Sequence, residues 1–164
     1  MATAVDILRL QVDYMIWASA RILDAAALLT SEELVRDFGT AHRNVHGTLA
    51  HIFSADRIWL SRIRGESPGA RVEPGALDLP ALRESWSSLH REWREWAAAI
   101  GAEEASAALS YQDLRGRPWQ TPLWQVVMHV VNHGTHHRGQ IAGFLRAMGH
   151  VPPPLDLIVY CRGL

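Results

Sequence analysis

Apolar positions recur every three to four residues along four long stretches of the chain, the period of an amphipathic α-helix. The first stretch runs from about Val5 to Leu29, where Ile7, Leu8, Val12, Met15, Ile16, Ile22, Leu23 and Leu29 keep that spacing. Thr30 and Glu33 then form a capping-box pattern, which predicts a short helical turn at Ser31 to Arg36. "DFGTAHRN" reads as loop. The second long helix spans about Val45 to Arg64, with Val45, Leu49, Ile52, Trp59 and Ile63 as its stripe. Interleaved glycines and prolines make "GESPGARVEPGALDLP" a long surface loop. A third helix follows from about Pro80 to Ile100, with proline in the first turn. Between Gly101 and Thr121 the stripe is lost, and Leu109, Tyr111 and Trp119 around "RGR" suggest a small hairpin or extended loop. Thr121 then reads as a cap and Pro122 as the first residue of a fourth helix that stops at Gly149. "HVPPPLD" cannot continue it. The pattern therefore predicts an all-α fold: an up-and-down type four-helix bundle, with a short hairpin or extended loop before the last long helix.

Composition narrows the class. The chain has 164 residues, 48% of them apolar and 20% charged, which suits one globular domain over residues 1–164. The net charge of −1 and the lack of a basic stripe argue against nucleic acid or anionic lipid as partner. All 16 basic residues are arginine, so a lysine Schiff base is excluded. The single cysteine, Cys161, cannot form an internal disulfide, and no apolar run nears the ~18 residues of a membrane span. The stretch "MATAVDILRLQVDY" has acidic residues and no basic n-region, so it does not read as a secretory signal, and with a single cysteine a cytoplasmic location is expected.

The fourth helix raises the chemical question. "VVNHGTHHRGQIAGFL" sets His133, His136 and His137 within an apolar run, with His129 just before it. At about 100° per residue, Val126, Val130, Ile141, Phe144 and Met148 define the core face. His137 falls about 20° from its centre and His133 about 60°, at the border, whereas His129 and His136 lie about 100° and 120° away. His133 and His137 are thus an inward pair one turn apart, able to share one ion. His129/His133 is the competing pair, weakened by the outward position of His129. A buried imidazole must satisfy both ring nitrogens, and two neighbours must not both be charged; a shared metal ion meets both demands. Gln140 is placed to hydrogen-bond near the site or orient a ligand. A third ligand must come from another helix. His51, inside the second helix, is the candidate, with Asp56 as an alternative oxygen ligand, outer partner or general base. His46 sits in a first turn, and His42, His90 and His150 lie in loop or polar contexts that make no case.

These motifs resemble the DinB/YfiT-like superfamily of metal-binding four-helix bundles over nearly the whole length. The resemblance rests on "GTLAHIFSADRIWL", on "VVNHGTHHRGQIAGFL", whose "HHRGQ" is the most specific part, and on the closing "PPPLDLIVY". It implies a metal site built from one histidine of the second helix and an i,i+4 pair of the fourth, which map to His51, His133 and His137. It also implies a divalent ion, nickel or zinc foremost, and often a dimer. Relatives include thiol-dependent transferases and a mycothiol-dependent isomerase, while many members have no assigned reaction. The expected function is a metal-dependent enzyme on small molecules, of thiol-dependent transferase type. The alternatives are a metal-dependent hydrolase and a non-catalytic metal-binding stress protein. A homodimer is expected, with Trp119 and Trp124 among seven tryptophans as interface anchors and Trp86 and Trp93 as core.

Overall fold

The computed structural model describes residues 2–66, 70–73 and 75–163. Four long helices carry the fold: α1 (Ala4–Ala26), α3 (Val45–Ile63), α4 (Leu79–Ala99) and α6 (Leu123–Ala147). Short helices α2 (Ser31–Val35), α5 (Ala102–Ser106) and α7 (Leu157–Cys161) and the strands β1 (Ala108–Gln112) and β2 (Pro118–Pro122) join or end them. The helix starts follow local chemistry. Thr3 and Thr30 make capping boxes with Asp6 and Glu33. Asn44 caps α3 by accepting from the Gly47 amide, and Asp78 caps α4 ahead of Pro80.

The bundle has the expected number of long helices, in an arrangement that chain order does not reveal. α1 packs on α4 and α6, and α3 packs on the same two, so α1 and α3 lie across the diagonal. The α2 segment and residues 36–44 make that crossing. One apolar core joins all four helices, with Met15, Ile22, Leu49, Ile52, Leu82 and Ile141 sealed from solvent. Trp86 and Trp93 are wholly buried in it, as their spacing predicts.

The start of α6 differs from expectation. Thr121 does not cap α6. It belongs to β2, where its hydroxyl lies 3.5 Å from that of Tyr111, and the residue preceding α6 is Pro122, with no side-chain cap. The hairpin claims this backbone: Ala108 pairs with Pro122, and the Leu123 amide donates to the Ala107 carbonyl. The single turns α5 and α7 were not expected, because five residues are too few to display a stripe. The tail after α6 is tied down at both ends, by His150 Nε2 on Glu33 Oε1 (2.8 Å) and by the Tyr14 hydroxyl donating to the Leu155 carbonyl (2.8 Å).

In the expected surface loop of residues 65–80, positions 67–69 and 74 lie outside the described residues. Its remaining part is irregular up to Asp78, and the Val72 amide donates to Ser54 Oγ (3.0 Å), which holds the loop against α3.

Candidate metal centre

α3 and α6 pack side by side, and that contact brings His51 to His133 and His137. The Nε2 atoms of His51 and His133 are 2.9 Å apart. Ring centroids of His51 and His133 each lie 4.5 Å from that of His137. All three expected ligands therefore meet. A fourth ring joins them from the loop before α3: His42 stacks on His51 with centroids 3.8 Å apart, and lies 5.1 Å from His137. One ligand atom from each of His42, His51 and His137 lies within 4.8 Å of the other two.

The position of His42 has a local cause. Phe38 stacks on Phe144 of α6 (4.4 Å), anchoring the loop, and the Phe38 amide donates to the Arg43 carbonyl. Arg43 takes a left-handed backbone (φ 64°), which turns the chain into α3. The His42 carbonyl then comes so close to Gly47 that a Cβ there would lie 2.5 Å from it. The only sequence signal for this approach is Gly47 itself, a helix-disfavouring residue in the first turn of a helix. Helical periodicity carries no information about a loop residue, so the expectation that His42 has no role at the cluster is corrected.

Burial sets the charge state of these rings. Desolvation, reinforced by the neighbouring imidazoles, pushes His51 down to about 3 and His133 to about 4. His42 and His137 are also lowered, burial again being the main cause. At neutral pH all four present neutral rings with lone pairs. Gln140 decides which nitrogen of His137 is free. Its Oε1 lies 2.8 Å from His137 Nδ1, and its Nε2 lies 3.2 Å from His136 Nε2. The amide oxygen can only accept, so Nδ1 of His137 carries the proton and Nε2 keeps its lone pair. His133 Nδ1 is buried with no hydrogen-bond partner.

This donor set fits a divalent ion. Nitrogens each ~2.0–2.1 Å from one ion sit roughly 3 Å apart, close to the separation of His51 and His133. Without an ion, one of those two nitrogens must donate a proton to the other. With one, both lone pairs are used. His42, His51 and His137, the first two half-buried and the third buried, form a triad that could also hold a metal ion.

The remaining candidates lie elsewhere. Asp56 is wholly buried among the tryptophans: Trp86 Nε1 donates to its Oδ2 (3.1 Å) and Trp93 Nε1 to its backbone carbonyl (3.3 Å). Burial raises its carboxyl to about 7, against the opposing pull of Arg138 and the Trp86 hydrogen bond. His136 and His129 are exposed, as the wheel predicts, and His129 packs edge-on against Trp59 (5.3 Å). His90 is buried on α4 beside Trp86, where desolvation lowers it to about 4. Arg138 was not singled out from the sequence, yet it is 1% exposed, with Nη1 on Ser19 Oγ and Nη2 on Thr135 Oγ1.

Two cavities reach the histidines. One of about 390 Å³ is lined by His51, His133 and His129, with Trp59 and arginines. A smaller one of about 190 Å³ is lined by His42 and His51. The centre is a histidine-lined site between helices of a bundle, bordered by these two cavities.

This class of helical protein corresponds to a known family. The sequence profile of the DinB family matches residues 1–163. The chain belongs to the DinB family. It is 22% identical over 156 residues to protein DinB of Bacillus subtilis (strain 168), covering 90% of each chain. Its fold is similar to that of a DinB-like protein from Bacillus cereus, with a TM-score of 0.64 and 20% identity over 84% of this chain and 90% of that one. Among the described residues no helix is long and apolar enough to cross a membrane.

Proposed function

We propose that His51, His133 and His137 hold a divalent ion, nickel or zinc, with His42 in reach as a further ligand, and that the protein is a metal-dependent enzyme acting on small molecules. The observation that carries this is the 2.9 Å approach of the His51 and His133 Nε2 atoms at the wall of an accessible cavity. Thiol-dependent group transfer is the reaction type we favour, on the family resemblance. When bound, the ion would act as a Lewis acid that holds a thiol sulfur in its nucleophilic form. The chain's residues supply the rest. Gln140 holds the His137 tautomer, and Trp59 and Ile58 line the cavity. The one cysteine, Cys161, is exposed on α7 and lines neither cavity, so the thiol would be the co-substrate's.

Hydrolysis and non-catalytic metal storage use the same donor set. Metal analysis of tag-free protein, followed by an assay of thiol conjugation to small electrophiles, separates the three readings. Bound metal with thiol consumption supports transfer. Bound metal with ester or amide cleavage and no thiol requirement supports hydrolysis. Metal without turnover supports storage, and protein that takes up no metal overturns all three. A homodimer in the cytoplasm completes the proposal, with exposed Trp119, Trp124 and Met128 as contact residues; a monomer mass by light scattering at micromolar concentration would remove it.

A further inference from the structure

The larger cavity beside the histidines has an unusual charge for this protein. The chain as a whole carries a net charge of −1. Yet among the described residues four arginines, Arg62, Arg71, Arg115 and Arg117, line this one cavity, against a single acidic residue, Asp113. They come from three separate segments: α3, the loop after it and the hairpin turn.

Asp113 is already committed. Its Oδ1 accepts from the Arg115 and Arg117 amides (2.8 and 3.0 Å), and its Oδ2 accepts from Trp119 Nε1 (3.2 Å) and lies 3.9 Å from Arg117 Nε. It shapes the turn that carries two of the arginines. Among the described residues, Arg62, Arg71 and Arg115 have no carboxylate within ion-pair distance.

Arg62 is the most telling. It is only 7% exposed, clamped over the rings of Trp59 (4.5 Å) and Tyr111 (5.2 Å), and its Nε is buried with no hydrogen-bond partner. Asp113 acts on Arg62 only from beyond ion-pair distance, and a buried guanidinium without a close carboxylate is costly unless an anion completes it. Guanidinium forks match carboxylate and phosphate oxygens in pairs. The remaining wall, with Ala55, Ile58 and Leu114, is apolar. A volume of about 390 Å³ admits a small molecule and no folded partner.

We propose that this cavity binds a small organic anion, whose carboxylate or phosphate group is held by Arg62 with Arg115 and Arg117 while its apolar body lies against Ile58 and Leu114. The site stands on its own arginines; its role as the substrate pocket rests on the function proposed above, because His51 and His133 form part of the same wall. Arg62 is thereby a binding residue, preset by its two aromatic rings, and the hairpin turn is a part of the site.

The test is calorimetric titration with succinate, inorganic phosphate and neutral succinamide, each into chelator-treated and into zinc-loaded protein. The expected result is binding of succinate or phosphate to the metal-free protein, weakening as salt is raised, with succinamide at least ~10-fold weaker, as the loss of a charge-assisted pair implies. The succinate and phosphate arms decide which oxyanion is preferred. Arg115→Gln/Arg117→Gln, on an exposed turn, should lower anion affinity ~10-fold, and Arg62→Gln should lower it further. Arg83→Gln, whose side chain pairs with Asp24 on the surface, serves as the control and should change nothing. Equal binding of succinamide and succinate overturns the proposal, and so does an unchanged affinity in the hairpin variant. Anion binding only to zinc-loaded protein and indifferent to the arginines also overturns it, yet leaves the metal assignment standing. Anion binding to a protein that takes up no metal has the opposite meaning: the anion site holds and the metal reading fails.

Discussion

Two polar clusters interrupt the apolar interior, and they solve burial in opposite ways. Around Asp56, donors and acceptors are mixed. Trp86 donates to the carboxylate, Arg138 supplies opposite charge nearby, and Ser19 and Thr135 accept from Arg138. Around His51, four imidazoles converge, each lowered by burial, with Gln140 on His137, and the closest approach is nitrogen to nitrogen. The first cluster pairs donors, acceptors and opposite charges within itself, leaving Asp56 Oδ1 and Arg138 Nε without a hydrogen-bond partner among the described residues. The second turns like groups towards one another, and it borders cavities. A buried polar group that neighbours satisfy serves packing; like groups converging on a cavity serve a ligand.

Deleting a ring from the second cluster should break this contrast most strongly. Outer partners of metal ligands are worth ~10–100-fold in metal affinity, so His51→Ala or His137→Ala should lose more than ~100-fold, read by competition with a chelating dye. His136→Ala, on the exposed side, should leave the affinity near wild type. Equal losses in His136→Ala and His137→Ala would end the assignment. The same assay on His42→Ala and His133→Ala ranks these two as third ligand.

Gln140→Ala comes next, with a loss of ~10–100-fold in metal affinity, because His137 would be free to change tautomer. An unchanged affinity would make Gln140 a surface bystander.

Asp56→Ala probes the first cluster. It strands the buried Trp86 N–H, which should cost about 1–3 kcal/mol of unfolding free energy in urea while metal affinity stays unchanged. A loss of metal with no loss of stability would reverse the roles drawn here. Gly47→Ala links the regions: its Cβ would collide with the His42 carbonyl, so a cost of about 1–3 kcal/mol should be accompanied by weaker metal binding.

The smallest effect separates the clusters by the sign of their pH dependence. His51 and His133 have folded values of about 3 and 4, below the ~6.5 of an unfolded histidine. The unfolded chain binds more protons in that window, so their stabilising share is present above about pH 6.5 and is lost as pH falls towards 4. Asp56 is raised to about 7, so its share is present below about pH 4 and is lost as pH rises through 7. Asp56→Asn should therefore gain stability relative to wild type between pH 5 and pH 8 in metal-free urea titrations. A difference independent of pH would place a charged Asp56 in the folded state throughout. Added nickel or zinc should raise the melting temperature much more at pH 7.5 than at pH 5.5, since protons compete for the same nitrogens.

Much of this molecule is local, and local features are legible in a sequence. The three-to-four spacing along α1, α3, α4 and α6 marks the helices because each must hide one face. Thr30 with Glu33, and proline early in α4, mark helix starts because capping needs only neighbours within a turn. Even the inward turn of His133 and His137 follows from one helix's period.

What the sequence could not decide is long-range. Nothing in the spacing of α1 and α3 says that they sit across a diagonal. Asp56 reads as a partner of the histidines by its nearness to His51, yet it faces Trp86. His42 reads as a loop residue, yet Phe38 on Phe144 and the missing Cβ of Gly47 lay it on His51. The four arginines of the cavity are up to 55 residues apart (Arg62 to Arg117) and meet only when the loop and the hairpin fold back over α3. A helix imposes its own period through hydrogen bonds within one turn, but a site between elements exists only once packing has chosen which faces meet.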